Sequence, residues 1–367
     1  MASAENSLWT SALQKLKRNR GAVFGLSIIS VAIFAAIFAY FISPDSSPDA
    51  NRMIIEIGGR KAGSTQMFML ERKDSVMQPV AFFSRMISGK PDEHRYIPID
   101  GYSAKGDSII VRKYIDEGVS DRLAFSKAHF AGSADSWFTV KRSWLGTDKY
   151  GRDILSRLIV GTRVSLAVGL ISIIISVTLG VLLGALAGYL RGWVDDVIMW
   201  LINVIWSIPT LLLVFAITLL LGKGFWQVFI AVGLTMWVSV ARIVRGQILS
   251  VREFEYVEAA RALGFSTVRI IFRHILPNVM GPVLVVAASN FASAIVIEAG
   301  LSFLGVGVQP PQPSWGLMIK ENYNFIITHN PMLALAPGFA IMLLVLAFNL
   351  LGNALRDALN VREIAQR

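Results

Sequence analysis

The sequence predicts an all-α polytopic membrane protein with six transmembrane helices and a small β-rich extracytoplasmic insertion. Three observations carry that expectation. The 367 residues are 54% hydrophobic and 16% charged, where soluble domains carry about 25% charge. Apolar runs long enough to cross a bilayer, for which about 20 residues suffice, recur along the chain. Residues 44–143 break the pattern, being polar, charge-mixed and punctuated by Gly and Pro.

The net charge is +10. In a soluble protein that excess would suggest nucleic acid. In a membrane protein the placement of Lys and Arg over the loops matters more, because it sets orientation. The chain has no cysteine, which excludes disulfides, thiolate metal sites and cysteine nucleophiles. It has no Gly-x-x-x-x-Gly-Lys-Ser/Thr run, hence no phosphate-binding P-loop of its own.

Residues 1–43 open with an amphipathic helix over 7–20. Leu8, Trp9, Ala12, Leu13 and Leu16 fall at helical spacing, as in helices that lie in a membrane interface. Lys15, Lys17, Arg18 and Arg20 mark the cytoplasmic side. The uncharged run 21–43 is the first span. A cleaved signal peptide would have an apolar core of only about 7–15 residues, so a retained anchor is expected.

In the insertion, β-like runs occur at Met53–Ile57, Gln66–Leu70 and Ser108–Val111, bounded by Gly, Asp and Lys. They suggest a folded domain from Arg52 to about Phe138. Domains this long translocate largely regardless of charge. His94 and His129 read as surface residues, since neither has a partner at metal-ligand spacing.

Residues 144–163 form an amphipathic entry segment. Asp148 and Asp153 there resemble a catalytic acid pair, but a polar turn and a helix cap explain both without chemistry. Five further spans make up residues 164–355. The second, 164–190, carries Gly180, Gly184 and Gly188 on one face, which permits close helix packing. The third, 197–221, follows Asp195 and Asp196 and is expected to kink at Pro209. The fourth is 225–241. Trp193, Trp200 and Trp226 sit near span ends, as interfacial tryptophans do.

The loop 242–280 carries Arg242, Arg245, Arg252, Arg261, Arg269 and Arg273, so it is expected to face the cytoplasm. Counting spans from a cytoplasmic N-terminus gives the same side. Two short helices are legible in it. The first, 251–263, is built of good helix formers, and Gly264 follows as a left-handed cap. Ser266 caps the second, which is expected to end before Pro277. Ala259, Ala260 and Ala262 leave the first helix thin. A DNA-binding helix-turn-helix has a similar outline, but the flanking spans leave too little soluble chain for one. An amphipathic connector between spans remains an alternative.

The fifth span runs from Pro277 to about residue 304. Ser289, Asn290 and Ser293 lie at its middle, where polar side chains need a helix partner or a watery path. Glu298 lies further out and should have a donor or reach water. Pro310, Pro311 and Pro313 exclude regular helix, and 315–327 reads as a short re-entrant piece. The sixth span is 332–351. Asn349 and Asn353 are expected to tie helices together. Residues 356–367, with Arg356, Arg362 and Arg367, form a tail expected in the cytoplasm.

Glu258-Ala259-Ala260, three residues, Gly264, then Leu276-Pro277 resembles the cytoplasmic "EAA" loop of permease subunits of bacterial ABC importers. The general pattern has isoleucine where this chain has His274. Arg273-His274-Ile275-Leu276-Pro277-Asn278 resembles the dipeptide, oligopeptide and nickel branch. Leu145-Gly146-Thr147-Asp148 with Gly151-Arg152-Asp153 resembles the entry to that family's core, and the stretches 298–305 and 308–316 again resemble the peptide-transporter branch. The resemblance covers the first span and residues 144–367, and leaves the insertion uncovered.

The resemblance implies that Glu258, Ala259, Ala260, Gly264, Leu276 and Pro277 couple to an ATPase. It implies a second homologous permease, two ATPase subunits and an extracytoplasmic binding protein, in a cytoplasmic (inner) membrane, with both termini cytoplasmic. ATP and Mg would bind the ATPases, with no cofactor in this chain, no enzyme activity of its own and no nucleic acid. The cargo implied is a di- or oligopeptide, moved by alternating access. Ser289, Asn290, Ser293 and Glu298 are the substrate-pathway candidates. Nickel or another small solute is the alternative within the branch. A membrane sensor or enzyme built on the insertion is the alternative outside it. Against that, the insertion shows no Gly-x-Ser-x-Gly and no His-Glu-x-x-His.

Overall fold

The structure is a computed structural model that describes residues 10, 13–73, 80–127, 137–328 and 330–359. His129, the start of the amphipathic segment and the tail from residue 360 lie outside the described residues. The chain divides into two compact units, residues 1–33, 165–309 and 341–367, and residues 34–164 and 310–340.

The first unit is helical. Residues 13–18 are helical and Asn19 interrupts them. Its side chain accepts the Ala22 N–H at 3.1 Å, which starts α1, Arg20–Ile37. Such a cap satisfies one of the four backbone donors left free at a helix start. The other helices are α3, Ile154–Leu190, α4, Gly192–Trp206, α5, Thr210–Leu221, α6, Phe225–Val251, α7, Glu255–Ala262, α8, Leu276–Leu304, and α10, Met332–Leu359. Among the described residues, five helical stretches are long and apolar enough to cross a membrane, and α4 with α5 make a sixth if that bent pair is one span.

That pair sharpens the expected kink of the third span at Pro209 into a break. The two helices meet at 95°. Pro209 is extended, with ψ 123°, and a proline also pushes the residue before it out of the helical region. The chain breaks here rather than bending. The predicted 251–263 helix is corrected. The fourth span runs unbroken to Val251, and the loop helix begins only at Glu255. Pro277 does not end a helix either. A wide π-turn, Ile270–Ile275, leads straight into α8, where Pro277 sits in the first turn. Proline is tolerated there because it sits in the first turn of α8, directly after the widened π-turn.

The three spaced glycines of α3 face α6. A Cβ at Gly184 would stand 2.5 Å from the Ala241 carbonyl oxygen, and one at Gly188 2.9 Å from that of Arg245. No side chain fits at those approaches, which is how small residues let helix backbones meet in a membrane. Asn349 and Asn353 are exposed. Among the described residues neither bonds to another helix, contrary to expectation.

The second unit holds a five-stranded antiparallel sheet, in the order β4-β3-β2-β1-β5. The strands are β1, Ser64–Arg72, β2, His94–Lys105, β3, Ser108–Asp116, β4, Val119–Ser126, and β5, Phe138–Ser143. A short helix, α2, Phe82–Ser88, lies between β1 and β2. Met67 pairs with Ile99 on one side and Val140 on the other. One face of the sheet buries Met69, Ile97, Ile99, Ile109, Val111 and Trp137. The other buries Phe68 and Tyr114 against Ile54 and Ile57. The expected strands at 66–70 and 108–111 lie inside β1 and β3. The expected strand at 53–57 is instead a loop with a 3-10 turn, Ile55–Ile57. Its backbone bonds sideways, Ile54 N–H to the Tyr150 carbonyl at 3.0 Å and Gly59 N–H to that of Asp148 at 2.9 Å.

Asp148 and Asp153 serve as turn and cap. Asp148 accepts the N–H groups of Tyr150 and Arg152 and pairs with the buried Arg152 guanidinium at 2.6 Å. Arg152 also reaches Glu321 at 2.7 Å. Asp153 accepts the Ser156 N–H at 2.8 Å and so caps α3. The stretch expected as a re-entrant piece holds α9, Trp315–Asn322, capped by Ser314, and then the turn Phe325–Thr328.

Candidate docking loop and intramembrane polar cavity

Both candidate sites lie in the helical unit. The loop that carries Glu258 is held by its apolar side. Val257 and Ala260 of α7 pack with Ile270, Ile271, Ile275, Leu276 and Val279 against Val244, Ile248 and Val251 of α6. Glu258, Ala259 and Gly264 are left on the surface, and Pro277 beside them on α8. The six predicted coupling residues therefore divide. Ala260 and Leu276 are buried in the foundation, and the other four are exposed.

Gly264 has φ +76°, and nothing lies within 4 Å of where its Cβ would be. The turn needs glycine for its backbone angle alone. Ser266 caps the following turn through the Arg269 N–H at 3.4 Å. Tyr256 and Asn278 clamp the two arms, with the amide donating to the phenol oxygen at 2.9 Å.

The surface also carries apolar side chains that the sequence reading did not single out. Leu263 is 73% exposed, Val268 64% and Phe272 59%. These exposed apolar side chains on an otherwise arginine-rich loop make it a candidate interaction site. Helical spacing gave no warning, because apolar residues in a helix normally face the core.

The second site is a cavity of about 290 Å³ lined by Ile205, Trp206, Thr210, Leu213, Thr235, Met236, Ser239, Asn290, Ser293 and Ile297. Of the four pathway candidates it brings together Asn290 and Ser293. Asn290 donates to the Ser239 hydroxyl at 3.1 Å and towards the Met236 carbonyl at 3.4 Å. The cavity wall thus presents hydroxyl and amide groups and no ionised side chain. Thr235 and Ser239, four apart on α6, were the legible signal for it and went unread.

Ser289 and Glu298 stand outside this cavity. The Ser289 hydroxyl donates to the Val285 carbonyl at 3.3 Å. Glu298 is fully buried and accepts the Ser302 hydroxyl at 2.6 Å. Ser302 in turn accepts the Val308 N–H at 3.0 Å. The carboxylate has the donor that burial demanded, and it closes the turn after α8. Near the cavity the Arg242 guanidinium lies 3.6 Å over the Trp206 ring, and Arg245 grips Asp195 through two bonds of 2.5 and 2.6 Å. Such forked pairs hold helices in a fixed register.

Residues 180–364 match the family described as binding-protein-dependent transport system inner membrane component. Residues 7–54 match the N-terminal transmembrane domain of oligopeptide transport permease C. The glutathione transport system permease protein GsiD of Pectobacterium atrosepticum is 43% identical over 59% of this chain and 72% of its own length. The dipeptide transport system permease protein DppC of Bacillus subtilis is 39% identical over 65% of this chain and 72% of its own. An inward-facing MetNI methionine ABC transporter structure superposes with a TM-score of 0.47 at 18% identity, over 56% of this chain and 97% of that one.

Proposed function

Because the chain belongs to the binding-protein-dependent transport system inner membrane components, we propose that it is the membrane subunit of an ATP-driven importer of di- or oligopeptides. Glu258, Ala259, Gly264 and Pro277, with Leu263, Val268 and Phe272, form the face that a separate ATPase grips. Ala260 and Leu276 transmit its motion into the helices. Hydrolysis belongs to that partner. A second permease completes the pathway, and an extracytoplasmic binding protein delivers the peptide. The bent pair α4 and α5 is one of six spans, both termini are cytoplasmic, and the sheet lies outside.

The single observation that carries this reading is the division of the docking loop into a buried foundation and an exposed apolar face beside a left-handed Gly264. A passive connector has no reason to expose Leu263, Val268 and Phe272 together. The neutral cavity at Asn290 and Ser293 supports the cargo. Peptide backbones pair with hydroxyl and amide groups, and hydrated metal ions call for carboxylates or imidazoles.

The test is uptake into vesicles holding this chain, its companion permease and the ATPases, with ATP inside and the binding protein outside. Labelled di- and tripeptides are expected to accumulate only with ATP and binding protein. Accumulation of nickel without peptide uptake overturns the cargo. Uptake that ignores the binding protein overturns the importer class.

A further inference from the structure

The short helix α2, Phe82–Ser88, has a face that neither the transport reading nor the sheet uses. On a helical wheel of 100° per residue, Phe82, Met86, Phe83 and Ile87 fall in one continuous stripe, and Ser84, Ser88 and Arg85 fall opposite. Such a stripe in a soluble unit should be buried. Here it is not. Phe82 is 59% exposed, Phe83 71% and Ile87 62%.

The stripe continues an apolar surface that begins on the first span. Phe34 on α1 meets Phe38 at 4.8 Å between ring centroids, and Phe38 meets Phe41 at 6.5 Å. Phe41 stacks on Phe82 at 5.2 Å with planes 30° apart, and Phe82 meets Phe83 at 5.7 Å. Ile37 and Ile42 are also exposed along this ladder. The helix is held there by polar groups on its other sides. The Arg85 guanidinium lies 4.9 Å over the Phe41 ring, and Arg163 donates to the Ile87 carbonyl at 2.9 Å.

We propose that α2 is an interfacial anchor whose Phe83–Ile87 face inserts into the headgroup and acyl boundary of the bilayer, at the end of the first span. Its occupant is lipid. The argument is continuity, because the same aromatic ladder starts on a helix that crosses the bilayer and ends on this exposed face. Phenylalanine rings on one side with serine and arginine on the other is the composition of helices that lie in that boundary. The anchor fixes one end of the β1–β2 connection to the membrane, so the sheet is tethered at a second point besides the chain entering and leaving the spans. This inference needs only that α1 crosses the bilayer, and is independent of the solute carried.

The test uses the full chain in lipid vesicles, with nitroxide labels on single cysteines introduced by Phe83→Cys, Ile87→Cys, Ser84→Cys or Ser88→Cys. Collisions with oxygen report lipid, and collisions with a water-soluble nickel chelate report water. Labels at 83 and 87 are expected to be at least threefold more accessible to oxygen than to the chelate, and those at 84 and 88 the reverse. Equal chelate access at all four positions overturns the proposal. Protection of 83 and 87 from both reagents also overturns it, since a protein partner then covers the face. The variants at 84 and 88 keep the apolar stripe, so misfolding caused by loss of Phe83 or Ile87 is separable from misplacement.

Discussion

The imidazole of His274 lies against the Phe265 ring, with centroids 5.8 Å apart and planes 16° from parallel. The Arg269 guanidinium sits 4.1 Å over the same phenyl ring. Phe265 follows directly on the Gly264 turn and packs on the core beneath the docking loop. His274 is the position that departs from the general pattern of importer loops, and the departure now has a use. A flat ring meets the phenyl face that a branched aliphatic chain would meet only at an edge.

Removing that ring should loosen the loop without unfolding the protein. Aromatic pairs of this kind are worth about 0.5–1.5 kcal/mol beyond area burial. His274→Ala is expected to lower peptide-stimulated ATP hydrolysis several-fold, and His274→Phe to keep most of it. Equal activity in both variants would show that the stack does not set the loop.

Gly264 separates backbone strain from collision. Its Cβ would meet nothing within 4 Å, so any cost of substitution comes from φ +76°. A non-glycine residue held in that region costs about 1–3 kcal/mol, and a β-branched one is the worst placed. Gly264→Val should insert and assemble normally yet hydrolyse ATP without transport. Gly264→Asn should be nearly silent, because asparagine tolerates the left-handed region. Normal peptide uptake by the valine variant would remove Gly264 from the coupling role.

The spans were legible because twenty apolar residues in a row have few other uses. The sheet was only half legible, for reasons visible strand by strand. β4 is exposed along almost its whole length, so it lacks the apolar alternation that betrays a half-buried strand. β2 contains Pro98 and Gly101, both of which argue against a strand interior. β5 carries Lys141, Arg142 and Ser143 among six residues. In the helical unit, the Asn290–Ser239 pair joins residues 51 positions apart, a distance over which periodicity carries no information. The π-turn that carries the chain past Pro277 has no composition of its own.

Lys141 predicts a pH dependence in the sheet unit. Its ammonium lies 4.3 Å over the Tyr96 ring. Burial, reinforced by the Arg52 guanidinium, lowers its pKa from 10.5 to about 8. A lysine whose folded pKa is depressed destabilises the fold while both states are charged, below about 8, and that penalty fades as pH rises towards the unfolded value. Lys141→Met should therefore raise the unfolding temperature of the purified chain at pH 7. Its advantage over the parent should narrow between pH 8 and pH 10. A constant advantage across that range would mean that packing, not charge, is responsible.

The orientation can be read with two cysteines in a chain that has none. Glu117 lies in the exposed turn between β3 and β4, and Val268 is exposed on the docking loop. Glu117→Cys should react with an impermeant maleimide added to intact spheroplasts, and Val268→Cys only after lysis. The opposite pattern would reverse the topology drawn from the arginines.

The sheet itself can be excised more cleanly than the sequence suggested. A cut from Arg52 to Phe138 would leave most of β5 behind and take Arg52 away from Asp45. It would also remove the loop whose backbone bonds to residues 147–150. The Gly63 N–H instead donates to the Ser143 carbonyl at 2.8 Å, so the two chain ends that enter and leave the sheet already touch. Replacing residues 64–142 with a two-residue glycine-serine link removes Asp92 but should spare the Arg52–Asp45 and Thr147 contacts and let the spans insert. In the orientation proposed above the sheet faces an approaching delivery protein, and we expect the shortened chain to assemble with its partners while binding-protein affinity falls at least tenfold. Unchanged affinity and uptake would make the sheet a passive elaboration. Failure to assemble would assign it to the contact with the second permease.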